Sequence, residues 1–299
     1  MDINTFRYTI ADMVSNKISR IYKDYNISLG YSYDINRKTP AILIQDGMGI
    51  VKYSIDRFYK NYMEDSRNLD AIVSHIFTLY YSRRSNQISI NVPNVDDIFV
   101  MVGSSSINRE LMNEVPHHVI NEDLTAFYRV KVVKNGETYH ETLTYEMLHK
   151  ITPPITEQEL FEKVKLNTIA NMPFIFTEQY IKYDPDNAHY IFIEGQYSDT
   201  GANIFLFPEL LKDVAEKENG NLLIAPIGRN LIRLGSESFF DKRSFDRYLT
   251  EENSRVDMKD YLSSQVYLYQ KDTNMIVRIS DNPMIDIDNF DNLKKAIRR

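Results

Sequence analysis

Asn135-Gly136 stands between AFYRVKVV (126–133) and ETYHETL (137–143). Asn-Gly is the pair a two-residue hairpin turn favours, because both central residues of that turn take positive φ. The flanks alternate apolar and polar residues as half-buried strands do, so a hairpin is expected over 124–143 and antiparallel pairing with it. ISLGYSYDI and TPAILIQD (27–46) read as a second hairpin around Asn36-Arg37-Lys38, and SSQVYLYQKDTNMIVRIS (263–280) as a third around Asp272-Thr273-Asn274. Short strands are expected at 97–102, at 189–195, and on either side of a Pro-Ile-Gly turn within 221–235.

Helical periods interrupt these strands. Phe6, Ile10, Met13, Val14, Ile18 and Ile21 recur at three- and four-residue steps, which predicts an amphipathic helix over 3–24. Further helices are expected over 50–84 with a break near Asp65-Ser66, from Ser106 to just before Pro116, in LFPELLKDVAEKENG (206–220) and in DKRSFDRYLTEEN (241–253). At 155–160, ITEQEL combines Thr156 as N-cap, Glu159 as its reciprocal partner, and Ile155 with Leu160 as a hydrophobic staple, so a helix runs from there to about 170. Helices and hairpins alternate without the regular spacing of a doubly wound sheet. The fold class is therefore α+β, with antiparallel hairpins interspersed among packed amphipathic helices. At 299 residues the chain suits two α+β halves, 1–150 and 151–299, or one continuous domain.

Composition narrows the function classes. The chain has no cysteine, which removes disulfides, thiolate nucleophiles and cysteine-held metals. A net charge of −7 supplies no cationic field for phosphate backbones or anionic lipid, so nucleic acid is disfavoured as a partner. The N-terminus lacks a secretion-signal pattern, and no window approaches the roughly 18 uninterrupted apolar residues of a membrane span. A cytoplasmic protein without a membrane anchor is expected.

EVPHHVINEDL (114–124) concentrates the groups that could do chemistry: His117, His118, Glu122 and Asp123. Adjacent residues of an extended segment face opposite ways, so His117 and His118 are poorly placed to share a metal, and no His-x-x-x-His or His-Glu-x-x-His pair exists elsewhere. No metal and no cofactor is expected; these four residues are the catalytic candidates of a metal- or carboxylate-assisted hydrolase. GQYSDTGA (195–202) is a polar connection in which Asp199, Thr200 and Asn203 would meet Arg229 and Asn230 if the strand and the turn are neighbours, and these five are the binding candidates. YYSRRSNQ (80–87) places Arg83 and Arg84 at a helix end, where they complement the dipole or contact an anion. IDIDNFDN (285–292) lacks the glycine and closing glutamate of a calcium loop and reads as a solvated tail.

The order of motifs resembles the DUF5688 family, a bacterial family of unknown function common in gut clostridia. The residues carrying the resemblance are NRELMNEVPHHVINEDLTAFYRV, with its Val-Pro-His and Asp-Leu; EKVKLNTIANMP, with Asn-Thr before proline; TGANIFLFPELLKDVAEKENGNLLIAPI; and DRYLTEENSRVDMKDYLSSQVYLYQ, ending in Leu-Ser-x-x-Val-Tyr-x-Tyr. The resemblance implies architecture, a Firmicutes-like source and an association with phage or other mobile elements; it implies no activity. Where the family carries Ser-Ser-x-His-Glu after a proline, this chain has Ile227, Gly228, Arg229, Asn230 and Leu231. With hydroxyls, imidazole and acid all replaced there, a non-enzymatic binding protein with a protein partner is the leading expectation, helped by 21 tyrosines able to serve a contact surface.

Overall fold

A computed structural model describes residues 1–47, 49–84, 93–134, 137–171, 174–180, 189–196 and 199–279. The chain forms two compact units, Met1–Asn91 and Val92–Arg299. The 124–143 hairpin lies in the second.

In the first unit, α1 (Ile3–Ile18) is followed by β1 (Tyr25–Asp34), β2 (Arg37–Asp46) and β3 (Gly49–Ser54), then α2 (Asp56–Glu64) and α3 (Leu69–Arg84). Asp2 caps α1 by accepting from the backbone N–H of Asn4 and Thr5. Phe6, Ile10, Val14 and Ile18 are all at 0% exposure, and burying each stabilises the unit by about 1.5–3 kcal/mol. α1 stops at Ser19 rather than at 24 because the chain reverses there, and Tyr25 at the start of β1 returns its hydroxyl to the Ser15 carbonyl at 3.0 Å. Ile21, beyond that stop, is exposed. Residues 49–54 are a strand rather than the start of a helix: Ile50, Val51 and Tyr53 pair with Gln45, Ile44 and Ile42 of β2, so β-branched pairing overrides the helical period. The expected break near Asp65-Ser66 is present as a 3₁₀ turn over Ser66–Asn68.

The second unit contains β4 (Ile98–Ser104), α4 (Arg109–Met112), β5 (His117–Val119), β6 (Leu124–Lys134), β7 (Glu137–Thr142), α5 (Tyr145–His149) and α6 (Glu157–Asn171). After these come β8 (Phe174–Tyr180), β9 (His189–Gly195), 3₁₀ turns Gly201–Leu206 and Pro208–Leu211, and α7 (Lys212–Lys217). It closes with β10 (Leu222–Pro226), β11 (Leu231–Ser236), α8 (Lys242–Asn253), β12 (Tyr267–Gln270) and β13 (Met275–Arg278). In one antiparallel sheet β6 pairs with β4 on one side and with β5 and then β7 on the other; the second sheet runs β13-β12-β10-β11-β9-β8. Asn135-Gly136 and the 281–299 tail, with its alternating aspartates, lie outside the described residues, but the strands that the turn joins are in register with Lys134 opposite Glu137.

One core joins Val100, Val102, Ala126 and Tyr128 with Leu160 and Val164 of α6, with Ile193 of β9 and with Ile224 of β10. α8 covers the opposite face of the six-stranded sheet, where Leu223 and Ala225 meet Phe245 and Leu249. The capping box of α6 is formed: Glu159 N–H donates to Thr156 Oγ1 at 3.2 Å and Thr156 N–H to Glu159 Oε2 at 2.9 Å. The expected helix over 206–220 is α-helical only at Lys212–Lys217. Its approach is 3₁₀, because the preceding Gly201–Leu206 is wholly buried and must present Asn203 to β4 and Phe205 to Tyr267 within two residues.

The two sheet edges are treated differently. The side of β4 away from β6 is closed by side chains acting as strand partners: Thr168 Oγ1 accepts from Val100 N–H at 2.8 Å, Asn203 Oδ1 from Val102 N–H at 3.0 Å, and Asn203 Nδ2 donates to the Val100 carbonyl at 2.9 Å. β8 has no strand on its outer side among the described residues. Residues 175–179 are exposed along its length.

Candidate functional site

The 114–124 segment folds as a short strand on β6 followed by an Asx turn, and the turn separates its polar groups. His117 pairs opposite Phe127 and His118 opposite Ala126, so the imidazoles leave the strand on opposite faces. The His117 Nδ1 lies 3.1 Å from the Val115 carbonyl. His118 stacks on Phe161 of α6 with ring centroids 3.7 Å apart and planes 12° from parallel, and burial pulls its pKa below the ordinary histidine value. Asn121 Oδ1 accepts from the N–H groups of Asp123 and Leu124, which turns Glu122 to solvent and Asp123 inward.

Asp123 is 4% exposed. Its Oδ2 accepts from the Tyr267 hydroxyl at 3.0 Å and lies 3.7 Å from Arg278 Nε, while Arg278 Nη1 donates to Glu122 at 2.7 Å. Burial raises the Asp123 pKa, with Arg278 opposing it. Beside Asp123 is a small cavity whose other polar lining residues all bear hydroxyls: Ser104, Ser106, Tyr261, Ser263 and Ser264. No histidine reaches it. His140 is exposed on β7, edge-on to Phe99 at 4.9 Å. The four catalytic candidates therefore go to three places, a histidine stack, a backbone carbonyl and the Asp123–Glu122–Arg278 cluster; among the described residues no group of His, Asp and Glu is arranged to hold a metal.

The second set of candidates is partly brought together. Asp199, at φ +71°, pairs with Arg229 through Oδ2 and Nη2 at 3.0 Å, and the Ala202 N–H donates to the Arg229 carbonyl at 2.7 Å. Gly201 permits this approach, since a Cβ there would collide with the Asn230 carbonyl. Thr200 is buried at the same turn. Asn203 points away, into β4. In the first unit Arg84 donates to Asp46 at 3.0 Å, shares that carboxylate with the Tyr80 hydroxyl and lies over the Tyr22 ring, so its charge is engaged within the fold.

Sequence patterns left two features unassigned. The Asp123 cavity takes Tyr261, Ser263 and Ser264 from YLSSQVYLY, and the carboxylate takes Tyr267 of that segment and Arg278 of β13 as partners; nothing in those segments announces a carboxylate 138 or more positions earlier, and the available signal is the Leu-Ser-x-x-Val-Tyr-x-Tyr motif. The other is β8, FIFTEQY, which presents Ile175 at 50% and Phe176 at 41% exposure on the outer strand of the sheet. Its β-branched and aromatic residues just after a helix end were the available sign.

Two α-helical and antiparallel-sheet units, with both sheets of the second sharing one core, define an α+β protein. The chain belongs to the DUF5688 family, described as a family of unknown function, whose model matches residues 3–271. The motifs that carried the resemblance have structural places: Asp123 and Tyr267 meet at the cavity, and Thr168 and Asn203 close the β4 edge. No curated protein and no solved structure matches the chain. Among the described residues no helix is long and apolar enough to cross a membrane.

Proposed function

We propose that the protein is a non-enzymatic interaction protein of the bacterial cytoplasm, and that it captures an extended segment of a partner protein along β8. The observation carrying this reading is the contrast between edges: β4 is closed by two fully buried polar side chains, while β8 has no strand on its outer side among the described residues and exposes Ile175 and Phe176. An edge of that kind is ordinarily blunted by lysine, proline or a bulge, and FIFTEQY has neither lysine nor proline. Strand addition would supply main-chain hydrogen bonds for affinity and side-chain contacts on both faces for selectivity. Glu194 is exposed on the neighbouring β9, and neither β8 nor β9 carries Lys or Arg, so the occupant is an extended segment bearing Lys or Arg near its apolar residues. The hydrolase reading has less support, because its histidines and carboxylates do not converge.

A displayed library of extended peptides, selected on the purified full chain, tests this. Enriched peptides should carry Lys or Arg beside alternating apolar residues, and should lose at least about tenfold in affinity to an Ile175→Lys, Phe176→Lys double variant, a cost of about 1.4 kcal/mol. Both positions are exposed, so the variant keeps its fold. Recovery of no peptide, or binding unaffected by the double substitution, would refute the reading.

A further inference from the structure

The Asp123 cavity is independent of the β8 edge. Its wall is formed by Asp123, Leu262 and five hydroxyl-bearing residues, Ser104, Ser106, Tyr261, Ser263 and Ser264. Its free space is about 10 Å³ for the centre of a water-sized particle, the lower limit for holding one water or one bare ion of similar size.

The charges around it do not cancel. Arg278 is the basic partner of both Glu122 and Asp123, at 2.7 Å and 3.7 Å, so the cluster of two carboxylates and one guanidinium keeps one negative charge. That guanidinium is nearer Glu122 and also donates from Nε to Gln265 Oε1 at 3.1 Å. Asp123 is left with a single close donor, the Tyr267 hydroxyl, on Oδ2. Its other oxygen, Oδ1, accepts no hydrogen bond from any described residue, although the residue is only 4% exposed. A buried carboxylate oxygen without a donor is costly unless something positive or protic fills the space before it.

The surrounding hydroxyls suit a cation. The Ser263 Oγ already accepts from the Gln265 N–H and lies 3.3 Å from the Tyr267 hydroxyl, whose proton goes to Asp123, and the Ser264 Oγ accepts from Gln265 Nε2, so these oxygens are held in place by groups outside the cavity. A carboxylate with neutral oxygens is a hard donor set. With only one carboxylate in the wall, and one unit of net negative charge in the cluster, the site matches a single positive charge better than a divalent ion, which would call for more carboxylates.

We propose that the Asp123 cavity is a monovalent-cation site, in which a dehydrated Na⁺ or K⁺ is bound by Asp123 Oδ1 and the oxygens of the surrounding serines and Tyr261. The bound ion would tie the 121–124 turn to the 261–267 segment, which come from chain positions far apart. Stability should then depend on which cation is present and not only on ionic strength.

The test is a urea titration of the full chain in choline chloride, with NaCl or KCl substituted at constant total chloride. The unfolding midpoint should rise saturably with Na⁺ or with K⁺, the better-fitting ion saturating at the lower concentration, as expected for a ligand bound only by the native state. Asp123→Asn should unfold cooperatively and show the same midpoint in all three salts. Ser263→Ala, which keeps the carboxylate, should raise the half-saturating concentration at least threefold, and serves alone if the Asn variant does not fold. Identical wild-type midpoints in the three salts would mean that the cavity holds water, and would overturn the proposal. So would a cation dependence that survives in Asp123→Asn or is unmoved in Ser263→Ala. None of these results bears on peptide capture by β8.

Discussion

Asn203→Ala should be among the most damaging single substitutions in the second unit, although the residue sits in a loop-like 3₁₀ turn and carries no charge. The side chain is at 0% exposure and makes two hydrogen bonds to β4, accepting from Val102 N–H and donating to the Val100 carbonyl. Alanine leaves both backbone groups unpaired inside the core, and each costs about 1–3 kcal/mol, so the expected loss is about 4 kcal/mol in total. With an m-value of about 2–3 kcal/mol/M, the urea midpoint should fall by about 1.3–2 M. Asn203→Asp should do worse still, because a carboxylate can accept from Val102 but faces the Val100 carbonyl as a buried negative charge. Asp199→Ala is the comparison four positions away: its ion pair with Arg229 involves a carboxylate one-third exposed, and alanine at φ +71° adds about 1–2 kcal/mol of backbone strain, so the loss should stay at about 2 kcal/mol, half that of Asn203→Ala. Circular dichroism gives the midpoints, and hydrogen exchange at the Val100 and Val102 amides reports the edge directly. Equal effects for Asn203→Ala and Asp199→Ala, or undiminished amide protection in Asn203→Ala, would refute the view that Asn203 completes the sheet.

Other outcomes follow from buried titratable groups. Burial depresses the His118 pKa, so the unfolded chain binds the extra proton first; stability should therefore fall as pH drops from about 7 to about 5, and His118→Phe, which retains a ring against Phe161, should flatten part of that loss in urea midpoints measured across the window. Arg233 is 6% exposed between the rings of Tyr190 and Tyr248, at 3.2 Å and 3.5 Å, and its Nε has no acceptor among the described residues. Lysine cannot stack as a plane in that slot, so Arg233→Lys should cost about 2–4 kcal/mol and more than Arg233→Met, which fills the space without a charge; the reverse order in chemical denaturation would contradict this account.

Local signals carried the parts of the fold that local physics decides. The Thr156–Glu159 capping box needs only four consecutive residues and formed as its sequence implies. The apolar period of α1 named Phe6, Ile10, Val14 and Ile18 as core, and failed at Ile21 because the position of β1, not the period, decides where the helix ends. Residues 49–54 depart from the helical period for a related reason: their preference for a strand is expressed only when β2 is alongside. At the candidate site the limit was distance in sequence. Adjacent His117 and His118 drew attention, yet Asp123 finds its partners at Tyr267 and Arg278, positions that no spacing rule connects to it. Asn203 shows the same limit from the other side: a polar residue in a polar stretch reads as a ligand-binding loop, and its purpose is visible only once β4 lies against it.

The closure of β4 bears on how β8 should be understood. A chain that places Thr168 and Asn203, both fully buried, against one open strand has met the energetic problem of unpaired backbone and solved it with side chains that would otherwise be expensive to bury. Closing β8 in the same way would require polar side chains on a neighbouring element, and none is supplied by the described residues along 175–179, which are exposed. Solvent can satisfy those backbone groups, so the bare edge costs little in the isolated protein. Ile175 and Phe176 are different, because water offers them nothing and a partner strand does. It is the coincidence of unpaired backbone with exposed apolar side chains on one strand, and not either feature alone, that makes β8 the surface where a partner would gain most.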